Sequence, residues 1–329
     1  MIRVAIIGAG LSGLSLANLL GNKLDVTLFE KSRSVGGRMS THRAEPHFFD
    51  HGAQYFTART KSFQEFIQPF IEDEVIKAWP ARYVRFDDDK IVERKNWGND
   101  EPRYVGIPGM NSFAKALSKQ LNIKLNTRIT SLEKYSKWRL KDAEGGIHEG
   151  FDWVVSTAPS PQTSALFPDF FQYSKDIQGI EMRACFSLML GFSHGLNLNF
   201  DAAHVSNTNI SWLAVNSNKP GRSDIFSLIT HSSEEFAERN LERDLLEIQE
   251  YLCKETGRII SCDVSNAECK IVHRWLYANN VEKKIFPVFL DTDSHLAACG
   301  DWCLGGRIEN AFVSAYNLYE KMKSSLDII

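Results

Sequence analysis

The first chemistry that the sequence suggests is the binding of a pyrophosphate by three glycines near the amino terminus. The run Ile-Ile-Gly-Ala-Gly-Leu-Ser-Gly places Gly8, Gly10 and Gly13 in the pattern GxGxxG. Gly8 permits a tight turn, Gly10 lets the backbone approach phosphate oxygens, and Gly13 lets a helix pack closely on a strand. The backbone N–H groups at the helix start, where Leu11 and Ser12 lie, are then expected to face the anion.

A strand and a helix must position this turn. The apolar residues 4–7 predict a short buried strand, and the apolar positions of residues 14–20 have helical spacing. A second apolar run, residues 26–29, ends in Glu30, which lies 22 positions after Gly8 (30 minus 8). A carboxylate at this distance accepts hydrogen bonds from a ribose diol. The glycines alone would indicate only a tight turn, but strand, helix and acid in register predict nucleotide binding.

The same apolar stretch could instead be a signal peptide or a membrane span, because Arg3 precedes it. Polar and glycine positions interrupt the stretch, it is short for a span, and no A-x-A-like cleavage site follows. We therefore predict a cytoplasmic protein with no membrane segment.

Length and composition limit the partners. The chain has 329 residues, which favours two domains, and its formal net charge of -3 without blocks of like charge argues against nucleic acid. A small molecule is the expected partner. The six cysteines form no CxxC pair, and Cys299 and Cys303 have no histidine at metal spacing, so we expect reduced thiols and no bound metal.

Two further loops have residue types that suit a cofactor. The doublet Gly36-Gly37 removes side chains where backbone must pass closely, and Arg38 adds a charge for a second approach to phosphate. A plain glycine turn with a surface arginine is the alternative. Residues 50–59, Asp-His-Gly-Ala-Gln-Tyr-Phe-Thr-Ala-Arg, contain small residues against which a flat ring could lie.

These two loops carry a resemblance to a known family. Gly-Gly-Arg-Met-Ser at 36–40 and Gly-Ala-Gln-Tyr-Phe-Thr at 52–57 resemble the flavin-containing amine oxidase superfamily, most closely its renalase branch. The resemblance extends to Tyr-Val-Gly-x-Pro-Gly-Met at 104–110, the turn that ends at Pro159, and residues 273–312.

The resemblance implies an α/β fold and noncovalent FAD. The implied fold has an FAD-binding Rossmann-like domain of the glutathione-reductase type 2, p-hydroxybenzoate-hydroxylase-like class, and an interleaved α+β substrate domain. We assign residues 1–74, 102–162 and 271–329 to the first domain and residues 75–101 and 163–270 to the second.

The motifs and the resemblance together assign the site residues. The residues expected to contact FAD are Gly8, Gly10, Leu11, Ser12, Gly13, Glu30, Lys31, Gly37, Arg38, Gln54, Tyr55, Ile129, Asp301 and Ile308. The residues expected to contact substrate are Thr57, Ala58, Arg59, Tyr104, Arg274, Trp275 and Tyr277. By the resemblance, Ile129 meets the adenine and Asp301 binds a ribityl hydroxyl, while the start of the helix at Ile308 points at the flavin.

The middle of the chain has its own predicted elements. Residues 75–100 read as strands joined by the acidic turn 87–89, and strand-like runs occupy 185–192, 210–215 and 225–231. A helix is predicted from Ser233 to Cys253, with Ser232 or Ser233 as its cap.

The sequence contains neither a Gly-x-Ser-x-Gly elbow nor a His-Glu-x-x-His zinc motif. His231 and His273 are the candidates for an acid or base, although a lone histidine is more often structural. The family resemblance implies oxidation of dihydronicotinamide dinucleotides that carry the hydride at ring position 2 or 6, with dioxygen reduced to hydrogen peroxide. An amine oxidase, which would require an aromatic cage, and a dinucleotide-binding protein without activity remain alternatives. The isomer preference, the choice of NAD or NADP, and a monomeric or homodimeric state stay open.

Overall fold

The computed structural model describes residues 1–98, 100–281, 286 and 288–325. Its strands are β1 (Arg3–Ile7), β2 (Asp25–Phe29), β3 (His42–Ala44), β4 (His47–Phe49), β5 (Ile76–Ala78), β6 (Arg82–Asp87), β7 (Lys90–Asn96), β8 (Tyr104–Gly106), β9 (Asn122–Lys124), β10 (Ile129–Lys134), β11 (Trp138–Asp142), β12 (Ile147–Phe151), β13 (Trp153–Ser156), β14 (Met182–Gly191), β15 (Ala202–Ser206), β16 (Ile210–Val215), β17 (Ser227–Ser232), β18 (Cys269–Asn280), β19 (Phe289–Asp291) and β20 (Leu296–Ala298). Its α-helices are α1 (Leu11–Leu20), α2 (Lys61–Glu72), α3 (Ser112–Ser118), α4 (Ser160–Leu166), α5 (Ser174–Gln178), α6 (Glu234–Arg239), α7 (Leu245–Ile260) and α8 (Ile308–Ser325).

A six-stranded sheet forms the first layer of the fold, in the order β19-β20-β13-β1-β2-β9. Its neighbours are parallel except for β19, which runs antiparallel to β20. Side chains alternate between its faces, so Val4 and Ile6 pack with α1 and α8, while Ala5 and Ile7 pack with the three-stranded sheet β10-β11-β12. Burial on both faces explains why β1 is an unbroken apolar run, and this confirms the predicted nucleotide-binding architecture.

A seven-stranded sheet forms the second half of the molecule, in the order β18-β14-β17-β16-β15-β6-β7. Leu188 and Leu190 of β14 face outward into a cluster covered by α6 and α7. Met189 and Ile229 lie on the opposite face, which we call the inner face, and pack into the same cluster as α1 and α8. The inner face is therefore the side of this sheet that meets the glycine-rich half of the chain.

The structure differs from the expectations drawn from the sequence in the middle of the chain. The helix expected from Ser233 to Cys253 is two helices, because Asp244 accepts a hydrogen bond from the Leu246 N–H (2.7 Å) and begins α7 as a new cap. Ser233, not Ser232, caps α6 by accepting from the Phe236 N–H at 3.2 Å. Strand β15 and the twelve-residue strand β18 have no counterpart among the strand-like runs identified in the sequence.

The predicted domain boundary at 270/271 falls inside β18. Since β18 pairs with β14 along most of its length, we propose that the boundary lies after Asn280. The rest of the domain assignment stays a prediction. Among the described residues, no helix combines the length and apolar character that crossing a bilayer requires.

Candidate active site

The glycine turn has the geometry that its sequence predicted. Gly8 has φ of +106°, and a Cβ added at Gly13 would overlap the carbonyl oxygen of Gly8. Gly10, in contrast, faces open space, with no atom within 4 Å of a Cβ placed there, and Gly37 approaches its Cα so closely that a Gly37 Cβ would lie 3.5 Å away. The two loops therefore leave an open cradle that side chains would fill, beside the uncapped start of α1.

Glu30 is buried beside this cradle, as expected of a ribose acid. Its Oε2 accepts from the Ala9 N–H at 2.8 Å and its Oε1 accepts from the Ser32 N–H at 2.8 Å. Each oxygen keeps a lone pair for a ligand hydroxyl. Lys31, next in the chain, is exposed, while Ser12 turns inward and donates to the carbonyl of Ala311 at 2.9 Å.

Arg38 and Asp301 lie together although one follows the doublet 36–37 and the other follows β20. Arg38 NH1 donates to Asp301 Oδ2 at 2.9 Å, NH2 donates to Oδ1, and NH1 also donates to the carbonyl of Ala278 at 2.9 Å. The 3-10 turn 301–303 and the start of α8 follow, where Gly305 (φ +95°) faces open space, since a Cβ placed on it would have no atom within 4 Å. Three separate segments thus converge on one cradle.

The inner face of the seven-stranded sheet carries a row of side chains across adjacent strands. The register pairs Trp212 with His231, His231 with Ser187, and Ser187 with His273. Trp212 and His231 also line a cavity of about 540 Å³. The Ser187 hydroxyl and the Trp212 indole N–H are buried without a hydrogen-bond partner among the described residues, so both groups are available to a ligand.

His51 covers one end of this row. Its ring lies 4.9 Å from that of His273 and 5.1 Å, nearly parallel, from that of Trp275, while the Trp275 indole donates to the His51 carbonyl at 2.9 Å. The His42 ring also contacts that of His51, edge-on at 5.7 Å. His51 is therefore joined to β18 by two ring contacts and one hydrogen bond.

The histidines here are neutral at physiological pH. Burial, then the charge of Lys219, lowers the pKa of His231 to about 4. Burial, then the neighbouring His273 and His42, lowers the pKa of His51 to about 3. Burial also lowers the pKa of His273, with His42 adding to the effect. The two predicted acid or base candidates are thus weak bases in this environment.

A cluster of aromatic side chains adjoins the cavity, although the sequence did not indicate one. Trp97 lies 4.9 Å from Tyr55, 5.5 Å from Tyr83 and 6.3 Å from Trp212, and the guanidinium of Arg103 lies 4.6 Å above it. These residues come from three distant parts of the chain. Only Tyr55 among them was an expected site residue.

Several predicted substrate residues are not brought to the inner face. Arg274 alternates to the outer face, where it lies over Phe186 and donates to the Arg243 carbonyl at 2.7 Å. Arg59 is half exposed and pairs with Glu101 at 2.7 Å. The departure of Arg274 has a simple cause, because neighbouring residues of a strand point to opposite faces.

The other predicted residues have less specific surroundings. Tyr104 packs on Phe56 at 5.7 Å, and Tyr277 lies where the pairing of β18 with β14 is irregular. The Ala58 carbonyl accepts from Gln64 at 2.9 Å. Thr57 is half-buried, and Leu11 and Ile129 are buried.

Sequence reasoning missed one acidic side chain that positions the loop before α2. Glu309, in the first turn of α8 next to Ile308, is buried and accepts from the N–H groups of Arg59 (2.9 Å) and Thr60 (2.6 Å). Its place in the first turn of a helix is the signal that could have revealed it. The described residues contain no group of three or more histidine, cysteine or acidic side chains that could bind a metal.

Two family models match this chain. One describes an NAD(P)-binding Rossmann-like domain and covers residues 6–70, and the other describes flavin containing amine oxidoreductases and covers residues 93–316. The chain belongs to the flavin containing amine oxidoreductase family. It is an FAD-dependent oxidoreductase, and the predicted cofactor is confirmed.

Within this family the chain is renalase-like. Renalase from Mus musculus is 22% identical over 351 aligned residues, which cover 98% of this chain and 99% of that protein. L-amino-acid oxidase from Notechis scutatus scutatus is 39% identical over 198 residues, covering 52% of this chain and 38% of that protein. Among solved structures, a candidate protoporphyrinogen oxidase from Exiguobacterium sp. 255-15 has a TM-score of 0.78 and a putrescine oxidase variant 0.70, each at 12% identity, 98% coverage of this chain and 99% of the other. These structural matches show the shared fold.

The residues of the structure fit FAD. The cradle at Gly10 and Gly37 is open where a diphosphate needs close backbone approach, and Glu30 keeps acceptor capacity beside it. The buried Ser187 hydroxyl and Trp212 N–H offer polar groups on the facing sheet. Gly8, Gly10, Gly13 and Gly37 would bind the diphosphate, and Arg38 with Asp301 would border the ribityl chain.

Proposed function

We propose that this protein oxidises isomeric dihydronicotinamide dinucleotides, with the hydride at ring position 2 or 6, to NAD(P)+. The balanced reaction consumes one dihydronicotinamide, one proton and one dioxygen, and gives one NAD(P)+ and one hydrogen peroxide. Bound FAD supplies hydride acceptance and the transfer of the electron pair to dioxygen. The full-length similarity to renalase supports this assignment.

The observation that carries the proposal is the neutral inner face. His231 and His51 have pKa values of about 4 and about 3, since both are buried, and neither is a strong base at pH 7. An isomeric dihydronicotinamide needs no base, because its ring nitrogen expels the hydride and the product is an aromatic cation. A substrate that had to lose a proton first would find no strong base in these two histidines.

The chain's own residues would bind and orient the substrate. Trp275, fixed by its hydrogen bond to the His51 carbonyl, and Trp212, at the cavity wall, present flat apolar surfaces that suit a nicotinamide ring. Because the reaction restores aromaticity, its barrier should lie mainly in placing the donor carbon. Positioning groups should therefore dominate the rate.

The test is to mix the purified yellow protein with each isomer under argon. The 2-dihydro or the 6-dihydro isomer should bleach the flavin absorbance rapidly, and the ordinary 4-dihydro form should do so slowly. Air should then restore the absorbance with one hydrogen peroxide per dinucleotide oxidised. Bleaching by none of the three forms would contradict the proposal, and an absence of any flavin reduction would favour the binding protein without activity.

A specific observation favours amine oxidation as the second candidate. Glu234 and Glu235 line the cavity, none of its described lining residues is Lys or Arg, and the cluster of Tyr55, Tyr83, Trp97 and Trp212 adjoins it. Acidic and aromatic groups suit a cation better than a phosphate. Anaerobic bleaching by monoamines or polyamines, with no response to the dihydronicotinamides, would establish this alternative.

We also propose a cytoplasmic monomer or homodimer with dioxygen as its second substrate. All six cysteines are free thiols, as expected of a reducing compartment. Cell fractionation and sedimentation would test the two parts of this statement.

A further inference from the structure

The loop between β16 and β17 carries a lysine that the sequence-based assignment did not include. The side chain of Lys219 is fully buried. Its ammonium lies 3.3 Å from Asp50 Oδ2, 3.0 Å from Gln54 Oε1 and 5.5 Å from the centre of the Trp79 ring. A buried ammonium is costly unless it is paired, so its presence requires an explanation.

Neutralising Asp50 does not explain Lys219. Arg222 already pairs with the same carboxylate, with NH2 at 2.5 Å and Nε at 3.2 Å from Oδ2. The other oxygen of Asp50 accepts from the Met110 N–H at 2.9 Å and from the Thr41 hydroxyl at 2.8 Å. Two buried cations therefore share one anion, and the second cation adds an uncompensated positive charge close to His231.

Gln54 links Lys219 to His231 at the cavity wall, because its side-chain amide contacts both residues. An ammonium can only donate, so the Gln54 oxygen must face Lys219 and the amide nitrogen must point away from it. That nitrogen lies 2.5 Å from the Asp50 carbonyl oxygen, 3.0 Å from the Gly52 carbonyl oxygen and 3.4 Å from His231 Nε2. Its two hydrogens serve these three acceptors, and His231 Nε2 must accept because an amide nitrogen cannot.

The tautomer of His231 follows from this arrangement. If Nε2 is an acceptor, a neutral ring carries its proton on Nδ1. The backbone of His51 acts on His231 in the direction that raises its pKa, as a nearby carbonyl acceptor does, but more weakly than burial and Lys219 act in the opposite direction. The ring then offers the cavity a neutral surface, with Nε2 facing the Gln54 amide.

We propose that Lys219 is a positioning residue that acts through Gln54 to keep His231 neutral, with its proton on Nδ1, at the wall of the substrate cavity. The inference rests on the proposed function for its relevance to catalysis, but its structural content does not depend on the substrate. The titratable and charged groups that face Lys219 are Asp50, Arg222 and His231. Burial lowers the pKa of Lys219 to about 8 against the opposing effect of Asp50, so it is mostly charged at pH 7.

Nitrogen-15 NMR of histidine-labelled holoprotein reads the state of His231 directly, with His231→Asn assigning its signals. In the wild type, Nε2 should show the shift of an unprotonated nitrogen down to about pH 5. Lys219→Met removes the charge and releases Gln54, so the pKa of His231 should rise by at least one unit, a tenfold change in proton affinity. Lys219→Arg should restore the wild-type pattern. Lys254→Met, which alters an exposed lysine of α7, is the matched control and should change nothing.

A second variant keeps the test decisive if Lys219→Met does not fold. Gln54→Glu places a carboxylate between Lys219 and His231, so His231 Nε2 must become the donor and the proton should move from Nδ1 to Nε2. Retention of the Nδ1 tautomer in folded, yellow Gln54→Glu, or an unchanged His231 pKa in folded Lys219→Met, would overturn the proposal.

The same variants separate this inference from the proposed function. The NMR readout needs no substrate, so the tautomer result stands even if no dihydronicotinamide reduces the flavin. If the dihydronicotinamides do react, Lys219→Met should introduce a pH dependence of the reduction rate between about pH 5 and 7, where the freed histidine titrates. A wild-type pH profile in that variant would contradict the catalytic part.

Discussion

Arg38 and Asp301 form a two-point salt bridge across 263 positions of sequence, and Arg38 also binds the carbonyl of Ala278. The pair joins the loop after β2 to the turn after β20, at the border of the glycine cradle. Each residue was expected to contact FAD separately, and the structure makes them one unit.

Asp301→Ala should therefore weaken FAD retention, because it removes both the salt bridge to Arg38 and the expected hydrogen bond to a ribityl hydroxyl. A charge-assisted hydrogen bond contributes about 1.5 to 3 kcal/mol, which corresponds to roughly a tenfold to hundredfold higher Kd for FAD. Asp301→Asn is the matched control, since it keeps the shape and one acceptor. Flavin fluorescence titration of the apoprotein measures the change. A fully yellow and fully active Asp301→Ala variant would exclude Asp301 from the cofactor site.

FAD should be bound without a covalent link. Neither the cysteines nor the histidines lie in a recognised attachment context. Cys299 and Cys303 are both buried, which raises the pKa of Cys303 to about 12 and disfavours its thiolate. Acid precipitation should release all of the yellow colour into the supernatant. Colour that stays in the pellet would contradict this expectation.

Trp275→Ala should slow flavin reduction by substrate at least tenfold. The change removes both the stacked surface and the hydrogen bond to His51, whereas Trp275→Phe removes only the hydrogen bond and should have an intermediate effect. Arg274→Ala is the adjacent control, because Arg274 points to the outer face. Anaerobic stopped-flow absorbance gives the reduction rate. Reoxidation by dioxygen should change little in each variant, and an equal loss in Arg274→Ala would argue against the assignment of faces.

The reduction rate should be nearly independent of pH between about 5.5 and 7.5. An unperturbed histidine base would impose a tenfold change per pH unit below its pKa of about 6.5. Burial lowers the pKa of His231 to about 4, which moves its titration below this range. A step near pH 8 would belong to Lys219, whose pKa burial lowers to about 8, and Lys219→Arg should remove it. A steep dependence near pH 6.5 that disappears in His273→Ala would make His273 a base.

The protein should lose stability as the pH falls from about 6.5 towards 4. Burial lowers the folded-state pKa of His51 to about 3, while the unfolded chain protonates near 6.5 and so binds more protons in between. At pH 5 the loss for His51 is about 2 kcal/mol. Asp50, whose pKa its two cations lower to about 2 despite burial, contributes a loss only below about pH 4. Urea unfolding at pH 7.5 and pH 5 measures the difference, and equal free energies of unfolding at the two pH values would contradict the buried neutral histidines.

Local sequence patterns located the residues of the glycine cradle but not the row of side chains on the inner face. Gly8, Gly10, Gly13 and Glu30 belong to one strand-turn-helix-strand unit, so spacing alone locates them. The row of Trp212, His231, Ser187 and His273 depends on the register of four strands, which no local pattern specifies.

The surroundings of charged side chains were the hardest part to predict. Lys219 stands in a turn-like run, Asn-Ser-Asn-Lys-Pro-Gly-Arg, where a solvated lysine is the normal expectation. Its burial arises from contacts with Asp50 and Gln54, more than 160 positions earlier. Arg274 illustrates a second limit, because a motif shows which residues are neighbours in sequence but not the face of a strand on which each side chain lies.

Strand β18 contacts both the glycine cradle and the loop at His51. Its Trp275 donates a hydrogen bond to the His51 carbonyl, and three residues later its Ala278 carbonyl accepts from Arg38 at the glycine cradle. We therefore expect occupation of the cradle and ordering of the cavity wall to be linked through this strand. If bound flavin raises the affinity for substrate by some factor, bound substrate must raise the affinity for flavin by the same factor.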